Sequence, residues 1–301
     1  MKMIAPITVT DAVMASSNVP EADYPTWASG TTYALGARVI LTSTHSIYES
    51  VQAGNVGKNP ATDTSSTWWI RVGSTNRWRA FDARTGQKVS QSGTIDYSLT
   101  LPSICTAVAL VGLSAGSVRV RVSDAGGTLI YDQTRQLVDR TDIVSFFTYF
   151  TYAPVYSERV VFEDLPGYVG YTLRITISAG VGTAEVGEIV AGKAFEFGTT
   201  LVDTEISFED MSVRDRDAFN NVFIVERDAY DVITFRFAIA VGGEDRMRRA
   251  IRDHRAKPAF FYADAALVQR GLAVYGLAKP LRIPLQSAGV SIATLETEEL
   301  S

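Results

Sequence analysis

Between Asn76 and Phe197 the chain alternates apolar and polar residues with a period of two and carries almost no helical period. Val118, Val120 and Val122 are interleaved with Arg119 and Arg121, and Leu173, Ile175 and Ile177 with Thr172, Arg174 and Thr176. Strands of that pattern have one face for a core and one for water, which argues against a parallel sheet with crossover helices. Asp124-Ala-Gly-Gly supplies positive-φ positions for a tight hairpin between a strand ending near Ser123 and one starting near Thr128. The expectation for 76–197 is an antiparallel β-sandwich or jelly roll, with the valines, Leu173 and the isoleucines inward and Arg119, Arg121 and Arg174 outward.

A chain of 301 residues has room for two or three domains, and the flanks differ in texture from the centre. Residues 1–75 read as an N-terminal arm and a small module rich in Ser, Thr, Gly and aromatics, with short strands at Arg38 to Leu41 and Ile47 to Val51. Residues 198–301 read as β-rich α+β. A long amphipathic strand runs from Tyr230 to Val241, with Ile233, Phe235, Phe237 and Ile239 on one face. A helix from Glu244 to Arg255 follows, with Met247 and Ile251 four apart, and Pro258 stops it. Further strands are expected at Ala259 to Tyr262, Leu272 to Leu277 and Val290 to Leu295. The fold class is therefore mainly β.

Apolar residues make up 46% and charged residues 20%, as in ordinary globular chains. A net charge of −5 argues against a phosphate-binding surface, so no nucleic acid partner is expected. One cysteine, Cys105, excludes an internal disulfide framework, and His45 and His254 are too few for a Cys/His metal site; no cofactor and no metal are expected. Residues 1–17 lack the apolar run of a secretory signal, and no stretch reaches the ~18 apolar residues of a membrane span, so no membrane insertion is expected.

Candidate catalytic groups fail on context. Gly112-Leu-Ser-Ala-Gly116 matches the Gly-x-Ser-x-Gly nucleophile elbow, but a strand pattern rather than a helix follows it, which reads as a hairpin turn. Cys105, in an apolar stretch without a cationic neighbour, reads as a buried inert thiol. The adjacent pairs Glu163-Asp164 and Glu209-Asp210 point to opposite sides of a strand and cannot converge on one sugar; they read as solvated turn residues. The basic concentration Arg246, Arg248, Arg249, Arg252, Arg255 and Lys257 has no interleaved aromatics to stack bases, which favours a subunit contact through Arg248, Arg252 and Arg255, with His254 on the same helix surface. No catalytic residue emerges, and the chain does not read as an enzyme.

The dense cluster is aromatic: Trp27, Tyr33, Tyr48, Trp68 and Trp69 lie within about fifty residues. Flat rings suit stacking on the C–H faces of pyranose sugars, and at least half of them must also form the core of so small a unit: Tyr33, Val39, Tyr48 and one of Trp68 and Trp69 are expected inward, and the other tryptophan more exposed, since adjacent strand residues face opposite ways. The order Trp27-x5-Tyr33-x2-Gly36-x2-Val39, then Tyr48, Pro60 and Trp69-x2-Val72, resembles the chitin-binding type of carbohydrate-binding module, families five and twelve. The resemblance implies a small three-stranded fold over Tyr24 to about Val72, with aromatic rings near its surface contacting polysaccharide.

Directly after it, Gly73-Ser-Thr-Asn-Arg-Trp-Arg-Ala-Phe-Asp82 resembles a segment of tail-associated proteins of bacteriophages and related gene transfer particles. Val186-Gly-Glu-Ile-Val-Ala-Gly192 and Phe195-Glu-Phe-Gly-Thr-Thr200 resemble the closing strand and exit of the same middle domain. Together these resemblances imply a virion protein of the tail tip or baseplate, made in the host cytoplasm. They also imply attachment to host cell-surface polysaccharide, contacts with other tail proteins and homo-oligomeric assembly. Two alternatives remain at this stage: a glycan depolymerase or hydrolase with an accessory module, and a purely structural virion protein whose module makes protein contacts.

Overall fold

The computed structural model describes residues 1–139, 143–153, 155–216, 219–240, 242–279, 281–283 and 290–300. The protein is mainly β, built around one large curled antiparallel sheet with smaller sheets beside it. The five-stranded sheet runs Met14–Ser17, Val89–Thr100, Thr172–Val186, Ser117–Ser123, Leu129–Gln136. Val118, Val120, Val122, Leu173, Ile175 and Ile177 all face inward and are fully buried, while Arg119 and Arg174 face solvent and pair with Asp132 and Asp96. Asp124 closes the expected hairpin, its Oδ1 accepting from the backbone N–H of Gly126 (2.9 Å) and Thr128 (2.8 Å).

This sheet packs on one end of the ten-stranded sheet, whose strands Ala107–Val111, Val160–Phe162 and Glu188–Glu196 supply Val108, Leu110, Phe162 and Ile189 to a shared core. The opposite faces of the same strands, with Ala109, Val161 and Val190, are buried with Phe260, Tyr262 and Tyr275. Burial on both faces explains why Ala107–Val111 and Ala259–Tyr262 are unbroken apolar runs.

The N-terminal strand Lys2–Pro6 belongs to this body and not to the module. Ile4 lies opposite Ala194 on one side and Phe260 on the other, and Met3 and Ile4 are buried on opposite faces. The sheet is thereby continuous across the division expected at 197/198. Arg159 ties the two zones again, donating to Asp231 (2.9 Å) and Glu299 (2.7 Å).

At the far end, Ala229–Ala240 pairs with Val290–Glu299 and buries Ile233, Phe235, Phe237 and Ile239 under the helix Glu244–Asp253 through Met247 and Ala250. The expected last residue of that strand, Val241, lies outside the described residues, and the helix ends two residues before the expected Arg255. Ala259–Tyr262 has the expected bounds; Ala273–Ala278 lies one residue later than expected at both ends, and Val290–Glu299 runs past the expected Leu295 because its end pairs with that strand.

The third unit is a three-stranded sheet, Arg38–Leu41, Ser46–Ser50, Trp69–Ser74, at the flank of the body.

Candidate functional site

The small sheet is too short to form a core from aliphatic side chains, and its interior is aromatic instead. Tyr33, Val39, Tyr48 and Trp69 are buried together, with the Tyr33 and Trp69 rings edge to face at 5.1 Å. Trp69 is 1% exposed and its indole donates to the carbonyl of Lys58 at 2.8 Å. Buried Asn55 ties the long loop to the sheet, donating to Ser50 Oγ (3.0 Å) and the Trp68 carbonyl (3.2 Å).

Asp63 sets the adjacent tryptophans in place. Its carboxylate accepts from the backbone N–H of Trp68 (2.6 Å) and Trp69 (2.8 Å) and from Thr67 and Ser65. Desolvation pushes its pKa upward, but these donors, Trp68 and Trp69 first, outweigh it and hold the group below the usual carboxylate range.

Adjacent strand residues face opposite ways. With Trp69 inward, Trp68 is half-buried against the outer margin of the cluster with the Lys58 ammonium 5.2 Å from its ring centre. Trp27 packs on the same cluster, half-buried, and its buried indole N–H has no hydrogen-bond partner among the described residues. Of the five rings named from sequence, Tyr33, Tyr48 and Trp69 are therefore packing residues with no face to offer a ligand. Trp27 and Trp68 are the two that keep ring surface open.

The segment after the module, Asn76–Phe81, is a 3-10 turn that joins module to body. On one side Trp78 stacks on His45, ring centroids 4.0 Å apart. On the other, Phe81 packs edge to face on Tyr97 at 5.2 Å, and the Tyr97 hydroxyl donates to the Arg77 carbonyl. His45 sits at positive φ in the strand-to-strand turn, its Nδ1 2.9 Å from Glu21 and its Nε2 3.1 Å from Asp11. Arg79 pairs with Asp23 at 2.9 Å. The segment Gly73 to Asp82 is thus a joint, which sequence spacing gave no means to see.

The C-terminal helix carries the expected cationic face. Arg248 is exposed and pairs with Asp245 at 3.0 Å; Arg252 and Arg255 have no ion-pair partner among the described residues. All three edge a groove of about 550 Å³ floored by Ile251, Leu281 and Ile283.

The remaining candidates resolve as structure. Gly112 to Gly116 is not a hairpin turn: it carries the chain from one sheet to the other, with Gly112 at φ 65° and Ser114 bridged to Glu185. Cys105 is buried and free, and burial pushes its thiol up to about 12. Glu163 is not a solvated turn residue; it accepts from Lys2 Nζ and the Tyr262 hydroxyl, each at 2.7 Å, and anchors the N-terminal strand. Glu209 sits on the strand Glu205–Asp210 and accepts from Tyr230. His254 caps its helix with Nδ1 2.8 Å from the Ala250 carbonyl.

Two exposed apolar surfaces escaped the sequence reading. The helix Phe146–Thr151 presents Phe146, Phe147, Tyr149 and Phe150 to solvent, and the hairpin Val213–Arg216/Val222–Val225 does the same with Phe223 and Ile224. Their signal was there as aromatic and β-branched runs without charge, but such runs read equally as buried strands. Comparison of the chain with protein-family models, with curated proteins and with solved structures gives no match.

Proposed function

We propose that this is a non-enzymatic virion protein of a phage tail tip or baseplate, which holds host-surface polysaccharide through its aromatic module and joins the particle through its last zone. The observation that carries the reading is the pair Trp27 and Trp68: partly exposed rings held beside a closed aromatic core. Rings so placed suit the C–H face of a pyranose. The exposed Phe146–Phe150 and Phe223–Ile224 surfaces support assembly, since contiguous apolar patches of that kind are contact sites. Several copies in one ring raise the avidity of a weak sugar site by ~10²–10⁴.

The test is retention of the full chain on chitin and on bacterial envelope polysaccharide, compared with Trp27→Ala and Trp68→Ala. Loss of retention in both variants supports the reading. Failure of the wild type to bind any glycan replaces it with the structural reading, in which the module contacts protein.

A further inference from the structure

The hairpin Val213–Arg216/Val222–Val225 is a two-stranded ribbon in which every residue is exposed. It follows on from the pairing of Glu205–Asp210 with Ala229–Ala240, and the residues of Glu205–Asp210 are all exposed as well. A ribbon of two strands is marginally stable in water and needs a third strand or a packed face to hold it. Its register sorts the side chains: Val213, Asp215, Phe223 and Val225 share one face, and Arg214, Arg216, Val222 and Ile224 share the other. Both faces leave apolar surface open, with Phe223 47% and Ile224 63% exposed.

Charge relates this arm to the helix of the same zone. Residues 205–216 and 219–228 hold six acidic residues against three arginines. The groove beside the helix Glu244–Asp253 has the opposite sign: Arg248, Arg252 and Arg255 edge its apolar floor of Ile251, Leu281 and Ile283. Arg248 is paired with Asp245 and Lys279 with Glu296, while Arg252 and Arg255 have no ion-pair partner among the described residues.

An acidic, apolar arm and a basic, apolar groove, both open on one chain, complement each other. The match selects one face of the arm: Asp215 suits the unpaired guanidinium groups while Phe223 and Val225 suit the floor, whereas the face with Arg214 and Arg216 would meet like charge. Two different patches that fit each other make a head-to-tail contact rather than a two-fold one. We propose that the hairpin Val213–Arg216/Val222–Val225 of one copy docks in the Arg248, Arg252 and Arg255 groove of a second copy, through the face bearing Asp215 and Phe223. The contact rests on the assembly half of the reading above and gives it a partner and a polarity.

Sedimentation velocity of the full chain over a concentration series tests it. The proteins are the wild type, a groove variant (Arg252→Glu with Arg255→Glu), an arm variant (Asp215→Arg with Phe223→Ser) and Ile224→Ser on the opposite face. The wild type should self-associate reversibly, the groove and arm variants tenfold or more weakly, and Ile224→Ser as the wild type does. Mixing the groove variant with the arm variant leaves one intact arm and one intact groove, so one-to-one pairs should form that do not extend. All of these positions are exposed, and far-UV circular dichroism checks that each variant is folded. A monomeric wild type, association that survives in the groove variant, equal loss in Ile224→Ser, or a mixture that stays monomeric overturns the proposal. Retention on polysaccharide separates the two readings: a monomeric wild type that is retained overturns the arm contact alone, and association without retention overturns glycan attachment alone.

Discussion

The carboxyl of Glu188 lies 3.4 Å from the hydroxyl of Tyr275, sealed between the strand Glu188–Glu196 and the strand Ala273–Ala278, and its other oxygen accepts from the backbone N–H of Ala83 at 3.1 Å. Burial first, and the neighbouring Asp82 second, push its pKa up to about 9. A carboxyl raised in the folded state binds its proton more tightly there than in the unfolded chain, so its effect on stability is absent below 4.5, the ordinary value. As pH climbs from there to about 9 the fold loses up to about 1.4 kcal/mol per unit, and above that the loss levels off. Asp82, raised by its own burial, titrates with it. Glu188→Gln should flatten the Tm profile between pH 5 and 9 relative to wild type. Parallel profiles for the two proteins would show that Glu188 does not control it.

The adjacent tryptophans should separate cleanly. Trp69→Ala empties the module core and should cost about 3–5 kcal/mol, seen as early loss of the near-UV signal on heating. Trp68→Ala removes a half-exposed ring and should shift stability by less than about 1 kcal/mol while weakening retention on glycan. Equal stability losses in both would contradict the facing described here.

His45→Ala removes a ring stack worth about 0.5–1.5 kcal/mol together with two bonds to carboxylates. The module should then loosen from the body without unfolding. Limited proteolysis should cut near residue 75 faster than in the wild type, with the Trp69 environment unchanged by NMR.

Gly276 sits where the strand Ala273–Ala278 runs against Val290–Glu299, and a Cβ there would fall 1.8 Å from the carbonyl oxygen of Glu298. Gly276→Ala must force the two strands apart and should cost about 1–3 kcal/mol, read as a lowered urea midpoint. An unchanged midpoint would mean that the strands do not approach so closely.

Reversing charge at Arg248 and Arg252 touches exposed side chains and should alter stability by less than about 0.5 kcal/mol. On the proposed virion reading it should nevertheless reduce incorporation into particles. Normal incorporation with lost glycan retention would exchange the roles assigned to the two ends of the chain.

What was legible from sequence was local. The alternation at 118–122 and 173–177 names its buried face because one strand face is wet, and the spacing of Met247 and Ile251 gives the helix for the same reason. The N-terminal strand was not legible: Met3 and Ile4 are both buried, so no alternation marks them, and their partners lie near residues 194 and 260. Of the five candidate rings, Tyr33 and Tyr48 turn inward with Val39 as expected, and period two says that only one of Trp68 and Trp69 joins them, but not that it is Trp69. The joint through Trp78 depends on a meeting of segments from 11, 21, 45 and 78, which no local pattern records.

The placement of Lys2–Pro6 between Glu188–Glu196 and Ala259–Tyr262 has a kinetic consequence. Closing the large sheet waits for pairings between the two ends of the chain, which makes its contact order high and its formation slow. The module is held by partners within 24–74 and needs no such closure. During synthesis the module is therefore complete while the body still exposes unpaired strand edges, and pulse-labelled hydrogen exchange should protect Tyr48 and Trp69 before Ile4.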